Sequence, residues 1–289
     1  MKKIIGVSFA LVLSAVSFSQ DNDQIQNKNG VDIMPVSGEW GVGMNALPIF
    51  SYIGNAFNGT AGNGIGGNKF VNYWAGNTLF GKYMLSDDNA IRAHLRIGQY
   101  NNTYNNYVYD DNATDPDVLV SDSYRTQSSF YNIGAGYEFR RGKNRLRGIY
   151  GGEAMYRFQR GMSTNYTYGN TFGTGNIAPT SSTWFSWGGV AGENAEGERV
   201  VSQQGGNYNG VGLRGFIGVE YYIAPKICFG TEFGWGLMYG ATGEMTTVTE
   251  YWDAGNSIIN TRNVNTASNK GLTIDTDNFG GSLYFMFYF

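Results

Sequence analysis

From residue 38 onward, apolar residues alternate with polar or very small ones through segments of about ten or more, the two-residue period of strands that present different faces to different surroundings. Residues 38–49 set Trp40, Val42, Met44 and Ala46 against Glu39, Gly41, Gly43 and Asn45. Residues 70–85 send Tyr73, Ala75, Leu79, Tyr83 and Leu85 to one side, and the next segment sets Ile91, Ala93, Leu95 and Ile97 against Arg92, His94 and Arg96. The pattern recurs over 128–139, 146–158, 211–223 and from Ile227 to Leu237. A last segment from about Asn278 sets Leu283, Phe285, Phe287 and Phe289 against Ser282, Tyr284, Met286 and Tyr288.

Short connections at 86–89, 140–145 and 224–226 alternate with long ones at 54–68, 101–124, 161–209 and 241–277, rich in Gly, Asn, Thr and Ser. This predicts an all-β, antiparallel, up-and-down transmembrane barrel of about eight strands, with tight turns at one end and long external loops at the other. A ten-stranded alternative promotes 244–252 and 258–264 to membrane strands. Thr, Glu and Asn interrupt both faces there, which favours a hairpin above the membrane.

Composition sharpens this picture. Only 15% of residues are charged, against about 25% in soluble domains, so ordinary wetted surface is scarce. After the N-terminal stretch no segment approaches the roughly 20 apolar residues of a spanning helix, so a membrane role has to come from strands. Residues 1–19 read as a signal peptide, with Lys2 and Lys3, an apolar run from Ile4 to Phe18, and small Ser17 and Ser19 before the expected cut. Residues 20–37 are then an N-terminal periplasmic segment and 38–289 the barrel, placed in the outer membrane of a Gram-negative cell. Cys228, the single cysteine, reads as a packed side chain, and a net charge of -3 gives no reason to expect nucleic acid as a partner.

The strand set and the terminal run GSLYFMFYF make 38–289 resemble the small outer-membrane barrels of the OmpA/OmpX type. The resemblance implies outer-membrane lipid around the strands and recognition of Leu283, Phe285, Phe287 and Phe289 by the barrel-assembly machinery. It brings no functional motif, and because the chain stops at its last strand, no following peptidoglycan-holding domain is expected.

On the inward parity stand Glu39, Glu138, Glu153, Glu220 and Glu232 with Lys82, Arg92, Arg96, Arg147, Arg157 and Arg214. In an eight-stranded bore they are expected to pair and fill the space, a plug and not a selectivity site. Pairing Phe139 with Leu146 across the basic turn predicts that Glu138 faces Arg147. His94 lies low for the chemistry of a barrel hydrolase, no zinc set surrounds it, and the acidic run 110–117 lacks the glycine and distal Glu of an EF-hand loop. Trp184, Phe185 and Trp187 in the longest loop either pack on the rim or meet a partner. No cofactor, metal or catalytic residue is assigned. The expected function is a non-enzymatic structural or interaction role, as a subunit beside other outer-membrane proteins; the alternatives are a narrow channel for ions or small solutes and, behind it, a lipid-modifying enzyme.

Overall fold

The computed structural model describes residues 25–46, 79–182, 197–277 and 283–289, and they are all-β, with no helix among them. The strands are β1 (Trp40–Asn45), β2 (Leu79–Ser86), β3 (Asn89–Tyr109), β4 (Leu119–Lys143), β5 (Leu146–Gln159), β6 (Ser163–Thr167), β7 (Arg199–Gly205), β8 (Tyr208–Ala224), β9 (Ile227–Thr242), β10 (Met245–Asp253), β11 (Ile258–Thr266), β12 (Asn269–Asp277) and β13 (Tyr284–Tyr288). All pair antiparallel in one sheet. The order β4-β3-β2-β1-β13-β9-β8-β5 returns to β4 through the β4–β5 pairing, so the sheet is partly closed into a ring. Closure between β1 and β13 runs over the short register from Gly41↔Tyr288 to Asn45↔Tyr284.

Neighbouring ring strands meet in two-residue turns because the local chemistry allows the backbone to reverse there. Ser86 pairs with Asn89, Lys143 with Leu146 and Ala224 with Ile227. Asn144 takes a φ of 58° and Lys226, after Pro225, a φ of 61°, the left-handed region that Asn tolerates and β-branched residues avoid. Asn144→Val is therefore expected to lower stability by about 1–2 kcal/mol, with Asn144→Gly close to neutral, as read from urea unfolding of the refolded protein.

The alternation then sorts the faces of the ring. Leu79, Leu85, Ile91, Leu95, Ile97, Ile133, Leu213, Ile217 and Val219 are exposed on the outside, while Lys82, Arg92, Glu138, Arg140, Glu153 and Glu220 are buried. This is the reverse of a water-soluble sandwich. Trp40 against Tyr83, Phe139 stacked on Tyr150, and Phe229 against Phe285 place aromatic pairs near the tight turns.

Three expectations need correction. The basic run 140–145 is not a six-residue turn: β4 continues to Lys143, Phe139 pairs with Tyr150, and Glu138 lies opposite Gly151, so Arg147 falls opposite Gly142. Much of the long connections is strand, since β3 runs to Tyr109, β4 begins at Leu119, and β6, β7, β10 and β11 extend the sheet away from the ring in the order β4-β6-β7-β10-β11. These strands carry polar groups on both faces and so show no apolar stripe. The connection expected over 241–277 also ends in strand, because β12 pairs with the upper part of β9 from Asn269↔Thr242 down to Asp277↔Gly234. The hairpin of 244–252 and 258–264 is seen as β10 and β11, outside the ring.

The expected signal peptide, the connection 54–68, Tyr73, Ala75, Trp184, Phe185, Trp187 and Ser282 lie outside the described residues.

Candidate functional site

The turn end of the ring is sealed by the N-terminal segment. A Gln26↔Asp32 bridge folds it back on itself, Lys226 Nζ donates to Met34 O and to Glu39 at 2.8 Å, and Ile33 and Met34 are buried against Met84, Ile149, Tyr222, Cys228 and Met286. Glu39 therefore belongs to this seal and not to the central charges. Arg147 belongs to it too: it donates to Met34 Sδ at 3.0 Å and to Gly142 O at 2.8 Å. The expected Glu138–Arg147 pair is not formed, because the tight turn shifts the two residues apart by four positions of register.

Directly above, Glu220 and Glu138 hold two cations between them. Lys82 Nζ is 2.6 Å from Glu138 and 2.7 Å from Glu220, and Arg140 is 2.9 Å from Glu138 and 2.6 Å from Glu220. Tyr284 donates to Glu220 at 2.9 Å, with Tyr222 at 3.2 Å. Lys82 is on β2 and Glu220 on β8, which are not neighbours in the ring, so these contacts cross its interior.

The next layer is held by Arg92 and Arg214. Arg92 binds Glu232 in a fork, at 2.9 and 3.1 Å, and lies 3.3 Å from Glu153. Arg214 spans Glu153 at 3.0 Å and Glu232 at 2.9 Å. Arg92 also stacks on Phe216, 4.1 Å from its ring centre. Lys82, Arg92, Arg140 and Arg214 thus meet Glu138, Glu153, Glu220 and Glu232 four to four. Charges taken from water are tolerated only when paired and hydrogen-bonded in this way.

His94 lies above, its ring packed over Gly134, where a Cβ would fall 2.0 Å from it, and its Nδ1 is 3.8 Å from Glu153. Arg96 and Arg157 do not join the lattice. Arg96 stacks on Phe130 at 4.7 Å, and Arg157 on Tyr208 at 5.8 Å. Arg140 was missed by the sequence reading, which gave it to a turn.

At the far end of the sheet, the acidic run is used internally. Asp111 accepts from the amide of Thr180 and from Asn176, each at 2.7 Å, and Asp110 and Asp115 accept from Asn112 and Asp117 amides. Burial acts to raise the pKa of Asp111, but those bonds and the Arg199 charge outweigh it and hold the carboxyl below its ordinary range. Asp122 accepts from Gly169 and Ser182 amides at 2.8 Å, strapping 168–182 to the β3–β4 hairpin. Among the described residues, no group of three or more His, Cys, Asp or Glu is placed to hold a metal ion. Tyr104, Tyr124 and Tyr166 stack in one rung across β3, β4 and β6, at 4.8 and 5.6 Å.

Comparison with protein-family models and with curated proteins finds no match for this chain.

Proposed function

We propose that the protein is an outer-membrane β-barrel of eight strands with a non-enzymatic structural or interaction role, its bore closed and its sheet carried outward into the surroundings. The observation that carries this reading is the inverted polarity of the ring, apolar side chains exposed outside and a paired charge lattice inside. Strand length agrees. β3 has 21 residues and β4 has 25, whereas a membrane strand needs about 9–11. On β3 the outward apolar series ends at Ile97 and continues as Gln99, Asn101, Thr103 and Asn105 before Tyr107 and Tyr109 at the tip, so the stretch above Ile97 suits water.

In this reading lipid surrounds the lower ring, the terminal Phe285, Phe287 and Phe289 serve recognition by the assembly machinery, and the strapped outer sheet meets other envelope proteins. A rigid surface loses little entropy on binding, and the bonds of Asp111 and Asp122 supply that rigidity.

The orientation is tested with single cysteines in a Cys228→Ser background. Asn112→Cys, at the outer tip, is expected to react with a membrane-impermeant thiol reagent on intact cells, and Lys143→Cys, at a tight turn, only after the envelope is opened. Labelling of Lys143→Cys with protection of Asn112→Cys would reverse the topology, and recovery of the protein away from the outer-membrane fraction would defeat the reading.

A further inference from the structure

We infer that the upper interior of the ring is a binding site for an oxyanion, a phosphate, sulfate or carboxylate group of a small solute entering from the end opposite the tight turns. One row of the sheet carries the argument. Arg96 pairs with Asn132 and Asn132 with Arg157, and the row continues as Gly210, Gly240 and Gly271. Two arginines therefore flank one asparagine on the inner face, and the three glycines that follow in the row among the described residues add no side chains there.

The lattice beneath is balanced, four acids to four bases, but Arg96 and Arg157 have no carboxylate within ion-pair distance among the described residues. Their charges repel one another. Arg96 Nε and Asn132 Oδ1 are both shielded from solvent without a hydrogen-bond partner among the described residues, a state that buried polar groups rarely keep. Waters can satisfy those two atoms, but they leave the mutual repulsion of the two positive charges in place. An oxyanion satisfies both charges, since guanidinium donors match its oxygens in pairs, and rotation of the Asn132 amide turns an N–H toward it.

The remaining walls fit a small guest. Phe130 and Tyr208 back the two arginines, and the Tyr208 ring lies over Gly210 and Gly240, where a Cβ would meet its hydroxyl at 2.7 and 2.2 Å. Arg157 is exposed, which leaves the site open to solvent from above. The inference depends on the ring's inner face and not on whether a membrane surrounds it.

The test uses inorganic phosphate and the purified full chain in detergent, at constant ionic strength made up with sodium chloride. Calorimetric titration is expected to show saturable binding, weakened at least tenfold by Arg96→Gln and by Arg157→Gln and unchanged by Lys143→Gln. Asn132→Asp supplies an internal carboxylate between the arginines, so it is expected to abolish phosphate binding while raising the heat-unfolding midpoint. That variant decides the matter even where the arginine variants fold poorly. Absence of saturable binding in the unmodified chain, equal binding in the arginine variants, or retained phosphate binding with a lowered midpoint in Asn132→Asp would each overturn the site. Failure of the topology labelling with phosphate binding intact would remove the membrane reading and leave this one.

Discussion

Glu220→Ala is expected to cause the largest loss of stability of any single change in the ring, about 3–5 kcal/mol, the range for removing one partner of a buried ion pair. Glu220 is fully buried and accepts from Lys82, Arg140 and Tyr284. Its loss leaves Lys82, Arg92, Arg140 and Arg214 facing three carboxylates, and burial of the group keeps bulk solvent from the surplus charge. The heat-unfolding midpoint in detergent should fall steeply, and added salt should restore little of it, because a buried charge is poorly screened. Lys82→Met alone should also destabilise, leaving Glu138 and Glu220 short of a cation. Combined, the two changes should cost clearly less than the sum of the single losses. Additive losses would show that Lys82 and Glu220 do not interact across the ring.

Which of these residues face inward was legible from the sequence, because strand alternation is a local property: Lys82, Arg92, Glu138, Glu153, Arg214, Glu220 and Glu232 all reach the interior on the expected parity. Their partners were not legible. Contacts such as Lys82 to Glu220 depend on the stagger between strands far apart in the chain, and no local pattern encodes that stagger. Arg140 illustrates a signal that was present but outweighed. It continues the parity of Glu138, and Gly142 continues it further, yet four basic residues within 140–145 read as a solvated turn. Ile33 and Met34 gave less to work with, since two apolar residues before Pro35 have no period. The outer strands were hidden for a different reason: with uncharged polar residues such as Thr, Asn, Ser or Gln breaking the alternation on both faces, β6, β7 and β11 look like loop unless their pairing is known.

The same interior predicts an electrically silent protein. In planar bilayers the purified chain is expected to give no steady, porin-sized conductance, because the bore of the proposed eight-stranded barrel has room for little beyond its own side chains, and the interior side chains of the ring are cross-linked by charge. Two barriers lie in series. The Arg92–Glu232 fork and Arg214 close the upper layer, while Lys82, Arg140, Glu138 and Glu220 close the lower, with Ile33 and Met34 beneath them. Removing only the fork, as Arg92→Ala with Glu232→Ala, takes one acid and one base together and keeps the remaining charges balanced. That double variant is therefore expected to stay silent as well, since the lower layer and the apolar seal are intact. Stable steps from the unmodified protein would restore the narrow-channel alternative, and steps appearing only in the double variant would show that the upper layer alone is the barrier and that the N-terminal segment does not seal the turn end.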